Sequence, residues 1–214
     1  MINTNIIDLT TGTAVPLRGN NIDTDRIIPA RYLKAITFDG LGDHVFEDDR
    51  VSMSNHPFSN SSYREASILL ANKNFGSGSS REHAPQALKR WGICACIAES
   101  FSDIFRGNSL SIGLPSFTAA HSDVEFLMDY VEKSPETILT VSVSNLTLSL
   151  SDRSIALTMP TGMRDALLNG QWDATGMLLD RFEEVRATGS SPVSYTHLRA
   201  HETEADLVCR LLLE

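Results

Sequence analysis

The stretch from Ser67 to Trp91 restricts this chain more than any other. An apolar run, Ser67-Ile68-Leu69-Leu70-Ala71, is followed by Asn74-Phe75-Gly76-Ser77-Gly78-Ser79-Ser80-Arg81-Glu82-His83-Ala84-Pro85. The helical pattern Gln86-Ala87-Leu88-Lys89-Arg90-Trp91 comes next. A strand, a turn with two glycines and a helix start are therefore expected in immediate succession. The first amides of a helix lack internal partners and its dipole adds partial positive charge, so such a turn favours an anion. Arg81 adds a two-pronged donor suited to a carboxylate or phosphate, and Ser79 and Ser80 bring two hydroxyls. Ser79 and Glu82 have capping-box spacing, but a helix starting at Ser80 would set Pro85 against the preceding turn. A start near Ala84, with Pro85 in the first helical position, costs less. That leaves Gly78 to His83 as an irregular loop aimed at a ligand.

Familiar loops do not account for it. The dinucleotide fingerprint needs a glycine where Arg81 stands, and the phosphate-binding loop needs a lysine that is missing here. The Gly-x-Ser-x-Gly elbow of serine hydrolases is also missing from this stretch. A plain capped strand–helix turn is the simple alternative. The combination of Arg81 with Glu82-His83-Ala84 argues for a site instead.

Asn74 to Leu88 closely resembles the Ser-Ser-Arg-Glu-His loop of the aconitase superfamily. Two further blocks stand in the matching order: Asn21-Ile22-Asp23-Thr24-Asp25-Arg26-Ile27-Ile28-Pro29 and Ser100-Phe101-Ser102-Asp103-Ile104-Phe105-Arg106-Gly107-Asn108. From about Leu9 to about Thr188 the chain resembles the small subunits of bacterial 3-isopropylmalate dehydratases. The resemblance implies an α/β fold, the aconitase-type swivelling β/β/α domain, with a mixed sheet and flanking helices. It implies a hydro-lyase that isomerises 2-isopropylmalate to 3-isopropylmalate by dehydration and rehydration, in leucine biosynthesis. A [4Fe–4S] cluster would be held by a separate large subunit and not by this chain. By residue-for-residue match, Ser79 would be the catalytic base as an alkoxide, Ser80 would shape the loop at the substrate, and Arg81 would hold a substrate carboxylate. Asp25 matches an aspartate near the substrate; without the family, Asp23 and Asp25 read equally well as turn chemistry. Ser77 stands where close relatives often carry cysteine, with no evident consequence.

The resemblance also points to Arg31-Tyr32-Leu33-Lys34-Ala35-Ile36 as the loop at the variable end of a small hydroxy-diacid substrate. Citrate- and homocitrate-type enzymes are implied to carry an arginine there. Ala35 and Ile36 suit an apolar, branched substituent, whereas Lys34 either supplies a cation or extends to solvent. Small subunits acting on citraconate/2-methylmalate or homoaconitate are the neighbouring alternatives, and a non-catalytic anion-binding module is the alternative of another class.

Composition narrows the partners. With 214 residues, 42% of them hydrophobic, the chain has enough material for one substantial core. Its 18 basic and 27 acidic residues give a net charge of −9, which argues against nucleic acid as a partner. No apolar run approaches the roughly 18 residues of a membrane span. Three cysteines do not make a disulfide framework, so a cytoplasmic location is expected.

Elsewhere, Thr13 to Leu17 reads as an edge strand interrupted by Pro16. Phe38 to Tyr63 reads as a long covering loop in which His44 and His56 are turn or surface residues. Ile93-Cys94-Ala95-Cys96-Ile97-Ala98 reads as a buried strand, its thiols serving as small hydrophobes. Ser100 to Asn108 is expected as a helix stopped by Gly-Asn, and Leu114 to Thr118 as a strand. Ser122-Asp123-Val124-Glu125 opens an amphipathic helix with a capping box, burying Val124, Leu127, Met128 and Val131. Ile138 to Val143, Leu146 to Leu150 and Ser154 to Leu157 form a meander, and Met163 to Leu168 and Ala174 to Phe182 are helices. One domain is expected over 1–188. The segment 189–214 resembles translated sequencing-adaptor read-through and is expected to be a non-native or disordered tail. His197, His201 and Cys209 are accordingly not expected to form a metal site.

Overall fold

Leu9–Gly12 forms β1 and Ala14–Leu17 β2, followed by the short helices α1 (Thr24–Ile27) and α2 (Glu47–Ser52). The central unit is β3 (Ile68–Ala71) and α3 (His83–Trp91), then β4 (Ala95–Ala98), α4 (Asp103–Ser111) and β5 (Ser116–Thr118). Helix α5 (His121–Lys133) leads to β6 (Leu139–Ser142), β7 (Thr147–Leu150) and β8 (Arg153–Ala156). Helices α6 (Thr161–Asn169), α7 (Ala174–Asp180) and α8 (Phe182–Ser190) follow. This computed structural model describes residues 5–34, 37–151 and 153–190. The chain divides into two compact units, Met1–Thr175 and Gly176–Glu214. The expected boundary near residue 188 falls within α8, and residues 191–214 lie outside the described residues.

Both strand pairings expected of the α/β class are present, each in its own sheet. The parallel sheet has the order β2-β3-β4-β5 and the antiparallel sheet β1-β6-β7-β8. Every residue of β2, β3 and β4 is buried, as a parallel sheet covered on both faces requires. Pro16 lies opposite Leu70 in the edge strand β2, where its missing N–H removes least from the ladder. In the antiparallel sheet Leu148, Leu150 and Ile155 are buried while Ser149 and Ser154 face out. Helix α5 buries the expected Val124, Leu127, Met128 and Val131.

Several local expectations are corrected. Helix α3 begins at His83 rather than Ala84, with Pro85 third; all first-turn amides lack helical partners, so proline is tolerated there too. Helix α4 runs through Gly107 and Asn108 to Ser111, because its buried Phe105 and Ser109 hold the face together. Helix α5 starts two residues early, after Ala120, and the expected capping box does not form. The Phe38 to Tyr63 segment is not one loop. It folds as α2 plus single turns at Leu41–His44, Pro57–Ser59 and Ser61–Tyr63, burying Leu41, Val45, Phe46, Phe58 and Tyr63. Single turns leave no helical period to read. His56 is buried there, its Nδ1 accepting from the Phe58 amide at 3.3 Å, and burial lowers its pKa. Cys96 is buried, which pushes its thiol pKa up, but Cys94 is exposed just before β4. The expected helix Ala174 to Phe182 is divided at Arg181.

A polar network sits beyond the carboxyl ends of β3 and β4. Asn72 donates to Glu99 at 3.0 Å and to Glu125 at 2.6 Å, Arg18 contacts Glu125 at 2.8 Å, and His121 Nδ1 lies 3.1 Å from Glu99. Glu99, His121 and Glu125 are metal-ligand types close together, yet these donors already partner their carboxylates. The hydrogen bond with Glu99 raises the His121 pKa. Burial pushes Glu99 upward, but hydrogen bonds from Asn72 and His121 leave it below its ordinary 4.5. The His121 contribution is full below 6.5 and fades as pH rises through its raised value; the Glu99 contribution is full above 4.5 and fades as pH falls through its lowered value. The pair therefore stabilises most between about pH 4.5 and 6.5. Thermal unfolding of His121→Gln should show a small Tm deficit in that window that shrinks at pH 9; an unchanging deficit contradicts this assignment.

Candidate active site

The loop between β3 and α3 is shaped by its glycines and tied to two neighbouring segments. Gly76 has φ +74° and Gly78 φ +94°, the left-handed region glycine adopts without strain. The Gly76 amide donates to Ile22 O at 2.8 Å, and its carbonyl accepts from Ser102 Oγ at 2.5 Å. Ser100 Oγ receives the Asn74 amide at 2.8 Å, and the Phe75 amide donates to Ser100 O at 3.0 Å. On the other side, the Thr24 amide donates to Ser77 O at 2.8 Å and Thr24 Oγ1 to Ser79 O at 3.1 Å. Asp23 caps α1, accepting from the Arg26 amide at 2.8 Å, which is the turn role open to it from sequence.

This strapping brings Asp25, Ser79 and Arg81 together. Arg81 Nη2 donates to Asp25 Oδ2 and to Ser79 Oγ, each at 3.2 Å. Arg81 Nη1 lies 2.6 Å from Asp25 Oδ1, an ion contact off the N–H direction, so this buried nitrogen keeps an unused donor. The arginine side chain is 15% exposed and the aspartate 51%, which leaves the guanidinium fixed and its outer rim reachable. Ser79 and Ser80 are exposed. The site thus offers a largely buried cation, a hydroxyl held against it and a reachable surface above: an arrangement for binding a carboxylate and moving a proton beside it.

The other expected residues are placed less directly. Ser80 has no hydrogen bond to Arg81 or Asp25 among the described residues. Lys34 is exposed at the end of the turn Ala30–Lys34, and Ala35 and Ile36 lie outside the described residues. That turn is clamped from below. Arg31 contacts Asp48 at 2.7 Å and also Glu47; Tyr32 donates to Glu47 and stacks on His44 with centroids 4.1 Å apart. The Tyr32 hydroxyl, with Arg31 and His44, lowers the Glu47 pKa to about 2. Sequence reasoning missed Thr24, Ser100 and Ser102, although all three stand in the blocks flanking the loop. Their signal was hydroxyl residues at turn positions, which is indistinct from ordinary capping.

Fold and loop together define a class. The family model of the aconitase C-terminal domain matches residues 4–120. The chain is 46% identical over 187 residues to a 3-isopropylmalate dehydratase small subunit from Synechocystis sp., covering 87% of this chain and 93% of that protein. It is 47% identical over 176 residues to the one from Thermus thermophilus, covering 80% and 88%. The crystal structure of a 3-isopropylmalate dehydratase from Methanocaldococcus jannaschii superposes with a TM-score of 0.61 at 26% identity, over 85% of this chain and 99% of the other. The chain belongs to the 3-isopropylmalate dehydratase small-subunit family of the aconitase superfamily. Among the described residues no helix is long and apolar enough to cross a membrane.

Proposed function

We propose that this chain is the small subunit of a two-subunit hydro-lyase that converts 2-isopropylmalate to 3-isopropylmalate in the cytoplasm. The observation that carries the reading is Arg81, held by Asp25 and donating to Ser79 Oγ at 3.2 Å. Ser79 as an alkoxide takes the proton from the substrate C–H bond and becomes a neutral hydroxyl, and Arg81 stabilises the alkoxide before the transfer. The guanidinium of Arg81 donates to a substrate carboxylate, with Ser80 at the loop's edge. Asp25 fixes the guanidinium plane. The variable substituent is assigned to Lys34 and to Ala35 and Ile36, which lie outside the described residues, and the Arg31–Glu47 clamp sets the base of the turn Ala30–Lys34.

Hydroxide departure needs a Lewis acid. The described residues hold two cysteines, Cys94 exposed and Cys96 buried, which do not make a ligand set for an iron–sulfur cluster. A [4Fe–4S] cluster, held in this reading by a large-subunit partner and not by this chain, would supply the Lewis acid for the departing hydroxide. Arg81→Lys keeps the charge but loses the fork, so the assembled enzyme should show a KM for 2-isopropylmalate raised about tenfold or more. An unchanged KM would remove Arg81 from the carboxylate site.

A further inference from the structure

Apart from the loop at the start of α3, a cavity of about 490 Å³ opens at the helix's other end, roughly 12 Å away at about 1.5 Å per residue. Arg50, Arg64 and Arg90 line it, together with Phe58 and Trp91. In a chain of net charge −9, these three guanidiniums form no ion pair among the described residues, whereas Arg18, Arg26, Arg31, Arg81 and Arg153 each meet a carboxylate. Asp43 and Glu65 border the same cavity, and their carboxylates form no ion pair with these arginines among the described residues. Arg50 is held in place by the carbonyls of Asp43 at 2.9 Å and Val45 at 3.3 Å, and by Ser59 Oγ at 3.4 Å. Arg90 donates to Gln86 and lies 5.2 Å over the Phe38 ring. The Arg64 guanidinium has no partner among the described residues. Trp91 packs on buried Phe58 with centroids 4.6 Å apart and remains half-buried, giving the cavity an aromatic wall.

Unpaired guanidiniums converging on one hollow match an anion with several charged oxygens, and the aromatic wall matches a flat or apolar body attached to it. We infer that this cavity is a second binding site, distinct from the Ser79–Arg81 loop, for a small polyanion of the phosphate or polycarboxylate class carrying such a body. It has no part in the proton transfer assigned to Ser79.

Isothermal titration of the full chain, alone and assembled with its large subunit, with pyrophosphate, ATP and citrate tests this. At least one probe should bind, weaken with added salt, lose about tenfold in affinity in Arg64→Ala, and be unaffected by Arg81→Ala. Arg64 supports nothing in the fold, so its variant should fold normally. ATP binding above pyrophosphate assigns a phosphate ligand with a planar body; citrate above both assigns a polycarboxylate. No binding by any probe at millimolar concentration overturns the inference, as does binding indifferent to Arg64→Ala or abolished by Arg81→Ala.

Discussion

Ser79→Ala should lower turnover of the assembled enzyme by about a thousandfold, the scale of a lost positioned base, while leaving subunit assembly intact. The side chain is exposed and its Oγ contacts only Arg81 among the described residues, so its removal leaves the fold untouched. Arg81 Nη2 donates to Ser79 Oγ at 3.2 Å, so a cationic donor already faces the oxygen that would carry the charge. An alkoxide there gains charge-assisted stabilisation that a free serine lacks. KM should move little, since the carboxylate contact belongs to Arg81 in this account. Assembly is checked by size-exclusion chromatography and turnover by the absorbance of the unsaturated intermediate. Near-normal turnover would sink the assignment of the base.

Gly76→Ala should cost the largest share of stability of any single methyl added to the loop. An ideal Cβ would stand 2.5 Å from Cδ2 and 2.6 Å from Cβ of Phe105. That ring cannot retreat: it is 1% exposed, edge-on to Phe75 at 5.2 Å and parallel to Phe101 at 6.1 Å. The backbone adds its own strain, since φ +74° is unfavourable for an L side chain. Overpacking and left-handed strain together suggest about 3 kcal/mol, which lowers Tm by roughly 10 °C in a domain of this size. Activity should fall with it, because Gly76 O is the anchor for Ser102 and Gly76 N for Ile22. A Tm within a degree of the parent would mean that α4 moves freely against the loop.

What was readable in advance divides by physical cause. Strands β3 and β4 were legible because each is a continuous apolar run closed by polar residues, as in Ile68–Ala71. The buried face of α5 was legible from its period. Ser79 and Arg81 stood out from the chemistry of their loop and Asp25 from the family resemblance, and the fold places Asp25 and Ser79 each within hydrogen-bonding reach of Arg81. Strand β1 went unread because Leu-Thr-Thr-Gly is short, half-exposed and gains its order only by pairing with β6. The segment around Phe46 and Phe58 went unread because its aromatics pack tertiary contacts through single turns, against Trp91 among others. Gly42 belongs to the same failure: a Cβ there would stand 2.6 Å from the Arg90–Trp91 backbone, a closeness that nothing local announces. The clamp of Arg31 and Tyr32 on Glu47 joins residues 15 and 16 positions apart and was equally hidden.

The most direct test of the account is an assay of the full chain, coexpressed with its cognate large subunit, on 2-isopropylmalate and on citraconate. The account predicts a complex that turns over 2-isopropylmalate and acts poorly on citraconate. Turnover mainly of citraconate, or a complex active on neither substrate, would contradict it.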